Sequence, residues 1–287
     1  MENKILVPLD GSESVDEVFL YVTTLTPRAA TEIALLTVVT GKDAEASGEA
    51  HAWKLNDSLG KAGWNVSRET RMGDPVEEIV KFSIMSSATL LLMSTHGRSG
   101  LERVRDGSVT EQVLKQSPCP VFILHSTRAE PVDRRTEELF RRILVPLDGT
   151  ETSASILVCV ERFARLHDSE VILFHDEMDH ADYDQAAVKE ALQDQSVKLA
   201  NRDLKVSLDM TTYKRPIREI LNRIDEMKID LVSMATHGIS GVRRALDESV
   251  TAEVIRHSNC PLLVWSAEPQ CPPGVLTADA PRTPVDG

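Results

Sequence analysis

The chain has 287 residues, enough for one large domain or two ordinary ones, and its 41% hydrophobic and 27% charged content is that of a globular protein with a sizeable core. A formal net charge of -13 argues against broad nucleic-acid binding, because a phosphate backbone would be repelled, yet it leaves room for one small anionic ligand held by local donors. Four cysteines without zinc-ligand or CxxC spacing exclude a disulfide scaffold or a zinc site of the usual pattern.

The chain opens on MENKILVPLD, which lacks the basic and apolar regions of a signal peptide, and no apolar run is long enough to span a bilayer. The expected location is the cytoplasm, with no membrane contact. Residues 4–8 form a short apolar run closed by Pro8-Leu9-Asp10-Gly11-Ser12, a strand followed by a turn. Val15, Val18, Phe19, Val22 and Leu25 share a helical face, with Ser14 and Glu17 as a capping box. A second strand is expected over 33–39 and an alternating edge strand over 66–70. Pro75 starts a helix carrying Val76, Ile79, Val80 and Ile84. Strands over 89–94 and 120–125 flank a helix that begins near Val109 and Val113. Continuous apolar strands alternating with helices read as a doubly wound α/β unit whose parallel sheet is covered on both faces.

The unit then repeats. ILVPLDGS at 5–12 returns as ILVPLDGT at 143–150, an offset of 138. MSTHGRSG at 93–100 returns as MATHGISG at 234–241, and SPCPVFIL at 117–124 as SNCPLLVW at 258–265, both at an offset of 141. The three additional residues of the second copy are expected between about Thr40 and Arg71 of the first. Units of this length are domains, not solenoid repeats. The expected organisation is a domain over 1–127, a linker over 128–140, a domain over 141–267 and a disordered tail over 268–287, the last rich in proline.

In doubly wound sheets, ligands sit beyond the carboxyl ends of the strands, where strand order reverses. Two segments exit there. One is Pro8-Leu9-Asp10-Gly11-Ser12. The other runs from Ser94 through Gly97, Arg98 and Gly100 to Gly107, Ser108, Val109 and Thr110. Gly97 and Gly100 permit close backbone approach. Gly107-Ser108 opens a helix whose free amides favour an anion. Arg98 and the Ser108 and Thr110 hydroxyls add donors for phosphate oxygens, and Asp10 suits ribose hydroxyls. The same residues also fit plain turns, caps and tight loops, and there is neither a GxxxxGK[ST] loop nor a GxGxxG motif.

ILVPLDGS at 5–12, GDP at 73–75 and MSTHGRSGLERVRDGSVTEQVLKQSPCPVFIL at 93–124 resemble the universal stress protein domain, twice over nearly the whole chain. The resemblance implies an adenine nucleotide alpha hydrolase-like sheet of strand order 3-2-1-4-5 in each copy, with the two copies paired through their fifth strands. It implies ATP as ligand, with Mg2+ as companion ion. Pro8, Leu9 and Asp10 would then meet adenine and ribose, and the backbone of Val38 would meet adenine. Gly97, Gly107, Ser108 and Val109 would hold the phosphates. The family's first glycine is Ser94 here and Ala235 in the second copy. Glu248 stands at the place of Gly107, and Asp176 at the place of Val38. A carboxylate about 4 Å from a phosphate costs a few kcal/mol at an intermediate dielectric, so the second site is expected to be degenerate. The leading expectation is an ATP-binding regulatory protein of the stress response without dedicated catalysis. A slow ATPase or adenylate-chemistry enzyme, and an interaction scaffold with relic sites, are the alternatives. Pairing of two chains into a homodimer stays open.

Overall fold

The computed structural model describes residues 3–11, 14–40, 45–96, 109–126, 139–177, 184–237 and 244–267. In the first half, strands β1 (Asn3–Leu9), β2 (Thr31–Val39), β3 (Asn65–Met72), β4 (Leu90–His96) and β5 (Val121–Ser126) alternate with helices α1 (Val15–Leu25), α2 (Glu45–Lys61), α3 (Pro75–Met85) and α4 (Val109–Gln116). The second half repeats the plan. Its strands are β6 (Arg142–Pro146), β7 (Glu170–Asp176), β8 (Lys205–Thr211), β9 (Leu231–His237) and β10 (Leu262–Ala267). Its helices are α5 (Glu151–Ala154), α6 (Leu157–His167), α7 (Gln185–Ala200), α8 (Pro216–Glu226) and α9 (Arg244–His257).

Local chemistry sets several of these boundaries. The Ser14 hydroxyl accepts from the Glu17 amide at 3.3 Å, the backbone half of the expected capping box. Asp74 caps α3 by accepting from the Glu77 amide at 3.0 Å, and Pro75 follows as a first-turn residue. Among the described residues no helix is long and apolar enough to cross a membrane.

The ten strands form one sheet in the order β3-β2-β1-β4-β5-β10-β9-β6-β7-β8. Each half therefore has the order 3-2-1-4-5. The halves meet through their fifth strands, antiparallel, with Phe122 opposite Leu263 and Ile123 opposite Leu262. The other strand pairs are parallel. Because both faces are covered, successive strand residues feed two apolar layers, and both layers run unbroken across the junction. On one face Tyr21, Phe122, Phe140 and Phe163 form a chain of ring contacts between the halves. Phe140 is central, 4.8 Å from Phe163 and 5.7 Å from Phe122. Phe140 comes from the segment entering β6 and holds a left-handed φ of 64°. On the other face Arg256 of α9 pairs with Glu111 of α4 at 3.2 Å.

Strand register relocates part of the length difference. Glu32 pairs with Asn65, and its counterpart Glu170 pairs with Lys205, so the third strands are offset by 140 rather than 141. The second helices, starting at Glu45 and Gln185, are offset by 140 as well. Two of the three additional residues therefore precede the second helix. The third falls after Arg71, outside the expected interval, in the loop between Thr211 and Pro216. Sequence matching missed it because the third strands share little side-chain identity. The linker core over 128–138 and the tail over 268–287 lie outside the described residues.

Candidate functional site

The sheet leaves a gap in each half. β1 and β4 pair only at Ile5–Leu90 and Leu6–Leu91, and β6 and β9 only at Ile143–Leu231 and Leu144–Val232. Past these pairs β1 and β4, and β6 and β9, no longer pair with each other, while each keeps its outer neighbour. The crossovers also reverse direction there, which is the topological condition for a ligand crevice.

In the first half, Leu9 is buried, Pro8 and Val38 are half-buried and Asp10 is exposed. Leu9 pairs with Thr37, so Asp10 and Val38 emerge at the same level, one residue past the last pair. Gly11 follows with a φ of 91°, a turn conformation that favours glycine. α4 returns from the carboxyl end of β4, with Val109 40% exposed and Thr110 buried behind it. Gly97, Arg98, Gly100, Gly107 and Ser108 lie outside the described residues. The sequence reading overlooked Gly48. A Cβ there would stand 2.7 Å from the Thr37 methyl and 3.4 Å from the Leu9 carbonyl oxygen, so glycine lets α2 close over the end of β1. Its counterpart at the 140 offset is Val188, which packs against Gly149.

In the second half the crevice is a cavity of about 80 Å³. Pro146, Leu147 and Asp148 line it from the end of β6, and Met234 and Ala235 from β9. Phe174, His175 and Asp176 contribute from β7, Pro216 and Ile220 from α8, and Val250 and Thr251 from α9. Asp148 accepts from the Thr150 amide at 2.9 Å and its hydroxyl at 2.6 Å, an Asx turn that leads into the short α5, which Thr150 caps by accepting from the Ser153 amide at 3.1 Å. His175 is 2% exposed. Its Nδ1–H donates to the Leu147 carbonyl at 2.8 Å, which leaves Nε2 buried without a partner. The signal for His175 was a polar residue closing the apolar run 171–174, at the place Thr37 holds in the first copy.

Asp176 has become structural. Its Oδ1 accepts from the Thr211 hydroxyl at 2.8 Å and from the Tyr213 and Lys214 amides at 2.9 and 3.1 Å. Its Oδ2 accepts from the Arg215 amide at 2.6 Å. The loop holding the additional residue thus wraps its amides around one buried carboxylate at the start of α8, where a helix dipole favours an anion. In the first half the shorter loop instead has Asp74 as cap, and the Gly73 amide donates to the Val39 carbonyl at 3.2 Å.

The last helix corrects a further expectation. By the 141 offset, the helix expected to begin near Val109 would begin near Val250 in the second copy, but α9 begins at Arg244. Gly107 of the first copy would cost about 1 kcal/mol inside a helix, whereas Ala245, Leu246 and Glu248 favour one. In a helix that starts at Arg244, the amides of Glu248, Ser249 and Val250 bond to carbonyls one turn back. They are not free donors for an anion.

The fold and crevices define a tandem α/β protein of the doubly wound class, two units sharing one sheet. The universal stress protein family model matches residues 1–125 and 139–266. A universal stress protein of Methanocaldococcus jannaschii is 32% identical over 143 residues, covering 44% of this chain and 84% of that protein. One from Mycobacterium tuberculosis is 25% identical over 214 residues, covering 70% of this chain and 68% of its own length. The crystal structure of a universal stress protein from Archaeoglobus fulgidus superposes with a TM-score of 0.69 at 22% identity, covering 93% of this chain and 99% of that one. The chain belongs to the universal stress protein family and carries two of its domains in tandem.

Proposed function

We propose that this chain is a regulatory stress-response protein that holds one ATP in its first half. Supporting this reading is the difference between the last helices: α9 runs through Glu248 and consumes the amides that a phosphate would need, while the first copy has Gly107 at that place. Pro8, Leu9 and Asp10 would take the nucleoside end with the backbone of Val38. Gly97, Arg98, Gly100, Gly107, Ser108, Val109 and Thr110 would take the phosphates. Mg2+ would arrive on the phosphate oxygens, and Asp10 is the carboxylate that β1 brings to this end of the sheet. The domains are taken as 1–127 and 141–267, in a cytoplasmic protein.

Calorimetry with ATP tests the reading. One ATP per chain is expected, and Gly107→Glu should abolish binding without changing the unfolding midpoint. Two equal sites, or an unchanged affinity in Gly107→Glu, would reject it. Glu248→Gly should shorten α9 and raise the stoichiometry toward two.

A further inference from the structure

The sheet ends on β3, and among the described residues no strand pairs with its outer edge. One bond sets the backbone direction along it: the Gly73 amide donates inward to the Val39 carbonyl. Orientation alternates along a strand, so Ser67, Glu69 and Arg71 also turn their amides and carbonyls toward β2. Val66, Arg68, Thr70 and Met72 turn theirs outward, an open template for another strand. The side chains alternate in step. Arg71 reaches Glu78 of α3 at 3.3 Å on one face, while Arg68 stacks 3.6 Å over the Trp53 ring of α2 on the other. Met72 shares the face of Arg68 and is 74% exposed, and Trp53 is 57% exposed. Apolar side chains scattered singly over a surface need no account, but these two flank one open edge.

We propose that two copies of this chain pair antiparallel through β3, about a two-fold axis at Thr70. A self-pairing edge sets one residue against its own equivalent at the axis, and the charges choose which. Axes at Arg68, Glu69 or Arg71 bring like charges face to face, which is unfavourable. Axes at Val66, Ser67 or Met72 form no ion pair. The axis at Thr70 sets Glu69 opposite Arg71 of the second copy, twice over, and Arg68 opposite Met72. Thr70, Arg68 and Met72 face outward and exchange the backbone hydrogen bonds, while Glu69 and Arg71 form the closer pairs, in which side chains meet. Glu78 is also held by Lys81 at 3.6 Å, so the charges gathered on this face are balanced. On the other face Met72 covers the Arg68–Trp53 stack of the second copy, and both exposed apolar side chains leave water. The chain's own junction has the same construction, β5 antiparallel to β10 with both apolar layers continuing across it. The far edge of the sheet lacks the match. At the 140 offset β8 has Leu208, Asp209, Met210 and Thr211 in place of Arg68, Glu69, Thr70 and Arg71, and Asp209 is engaged by Arg223 at 2.6 Å. The interface does not depend on the ATP reading of the first half.

Sedimentation equilibrium of the full chain from about 1 to about 100 µM tests the interface. The mass should rise to that of two chains and stop there. Glu69→Lys, at an exposed position, sets a lysine opposite Arg71 of the other copy and should weaken association at least about tenfold. Thr70→Pro removes the amide on the axis, which faces away from β2, and should do the same. Lys205→Glu on the opposite edge should leave association unchanged. Cys119, Cys159 and Cys260 are buried, which leaves room for a register test in a Cys271→Ser background. A short bismaleimide should join two copies of Thr70→Cys but not of Asn65→Cys, because only the axis residue meets its own equivalent. A single-chain mass at every concentration, growth beyond two chains, or association lost in Lys205→Glu and kept in Glu69→Lys would overturn the proposal. So would cross-linking of Asn65→Cys in preference to Thr70→Cys, a readout that stands even if Thr70→Pro fails to fold.

Discussion

The Asp176 carboxylate holds the Arg215 amide at 2.6 Å, and with it the whole loop that enters α8. Three amides and a hydroxyl converge on that one buried side chain. Asp176→Val restores the residue type of the first copy but leaves these donors without a partner. The expected loss is about 3 kcal/mol in denaturant unfolding, with faster hydrogen exchange at Tyr213, Lys214 and Arg215. Asp176→Asn, which keeps one carbonyl oxygen, should lose less. A variant as stable as the parent would show that the loop is held by something else.

Phe140 is fully buried among rings from both halves. Phe140→Ala should cost roughly 3–5 kcal/mol, as large aromatic deletions do in packed cores. Since both apolar layers cross the β5–β10 junction, urea should unfold the chain in one transition that shifts as a whole. Two separate transitions, only one of them displaced, would contradict a shared core.

Acid should loosen the junction. Burial pushes His167 down to about 4, against its contact with the Leu25 backbone, and burial pushes His125 down to about 4 as well. The unfolded chain binds these protons near pH 6.5 and the native chain does not until about pH 4. Their stabilisation is therefore complete above pH 6.5 and is lost as pH falls toward 4, on the order of 3 kcal/mol for each histidine. Glu17 works in the opposite sense, because burial raises it to about 6 and the native state gains stability as it protonates, an effect that solvent screening of this partly exposed carboxyl keeps small. The urea midpoint should still fall between pH 6.5 and 4.5, and His167→Gln should flatten that slope.

The ion pair on the opposite face should matter far less. Arg256 is half exposed and shared between Glu111 and Glu253. Arg256→Ala should change stability by less than about 1 kcal/mol, and less still at high salt. A larger loss would mean that α4 and α9 depend on this pair rather than on the apolar layer beneath it.

The architecture was legible because its signals are local or repeated. Continuous apolar runs such as 33–39 can be satisfied only inside a covered sheet, and three ordered octamers fix the duplication. Pro8, Leu9 and Asp10 followed from the same strand ends, whereas Val38 came only from the family resemblance. Gly48 was not legible, since its reason is a close approach to Thr37 and Leu9 from a distant helix. His175 and Asp176 carried a weak signal, two polar residues closing an apolar strand, but nothing in their neighbours said which partners they would find.

The sequence by itself determined two copies of one α/β unit, the order of their elements and the exchange of Gly107 for Glu248, because patterning and helix propensity act over a few residues. Pairing through the fifth strands was already implied by the family resemblance, but only the tertiary structure decided that Phe140 plugs the seam between β5 and β10. It also decided that Asp176 is spent on the backbone of a distant loop and that the His175 ring is buried against the Leu147 carbonyl. Those outcomes depend on where amides, rings and carbonyls from remote segments come to rest, and hydrogen-bond geometry and close packing settle that only when the chain is folded.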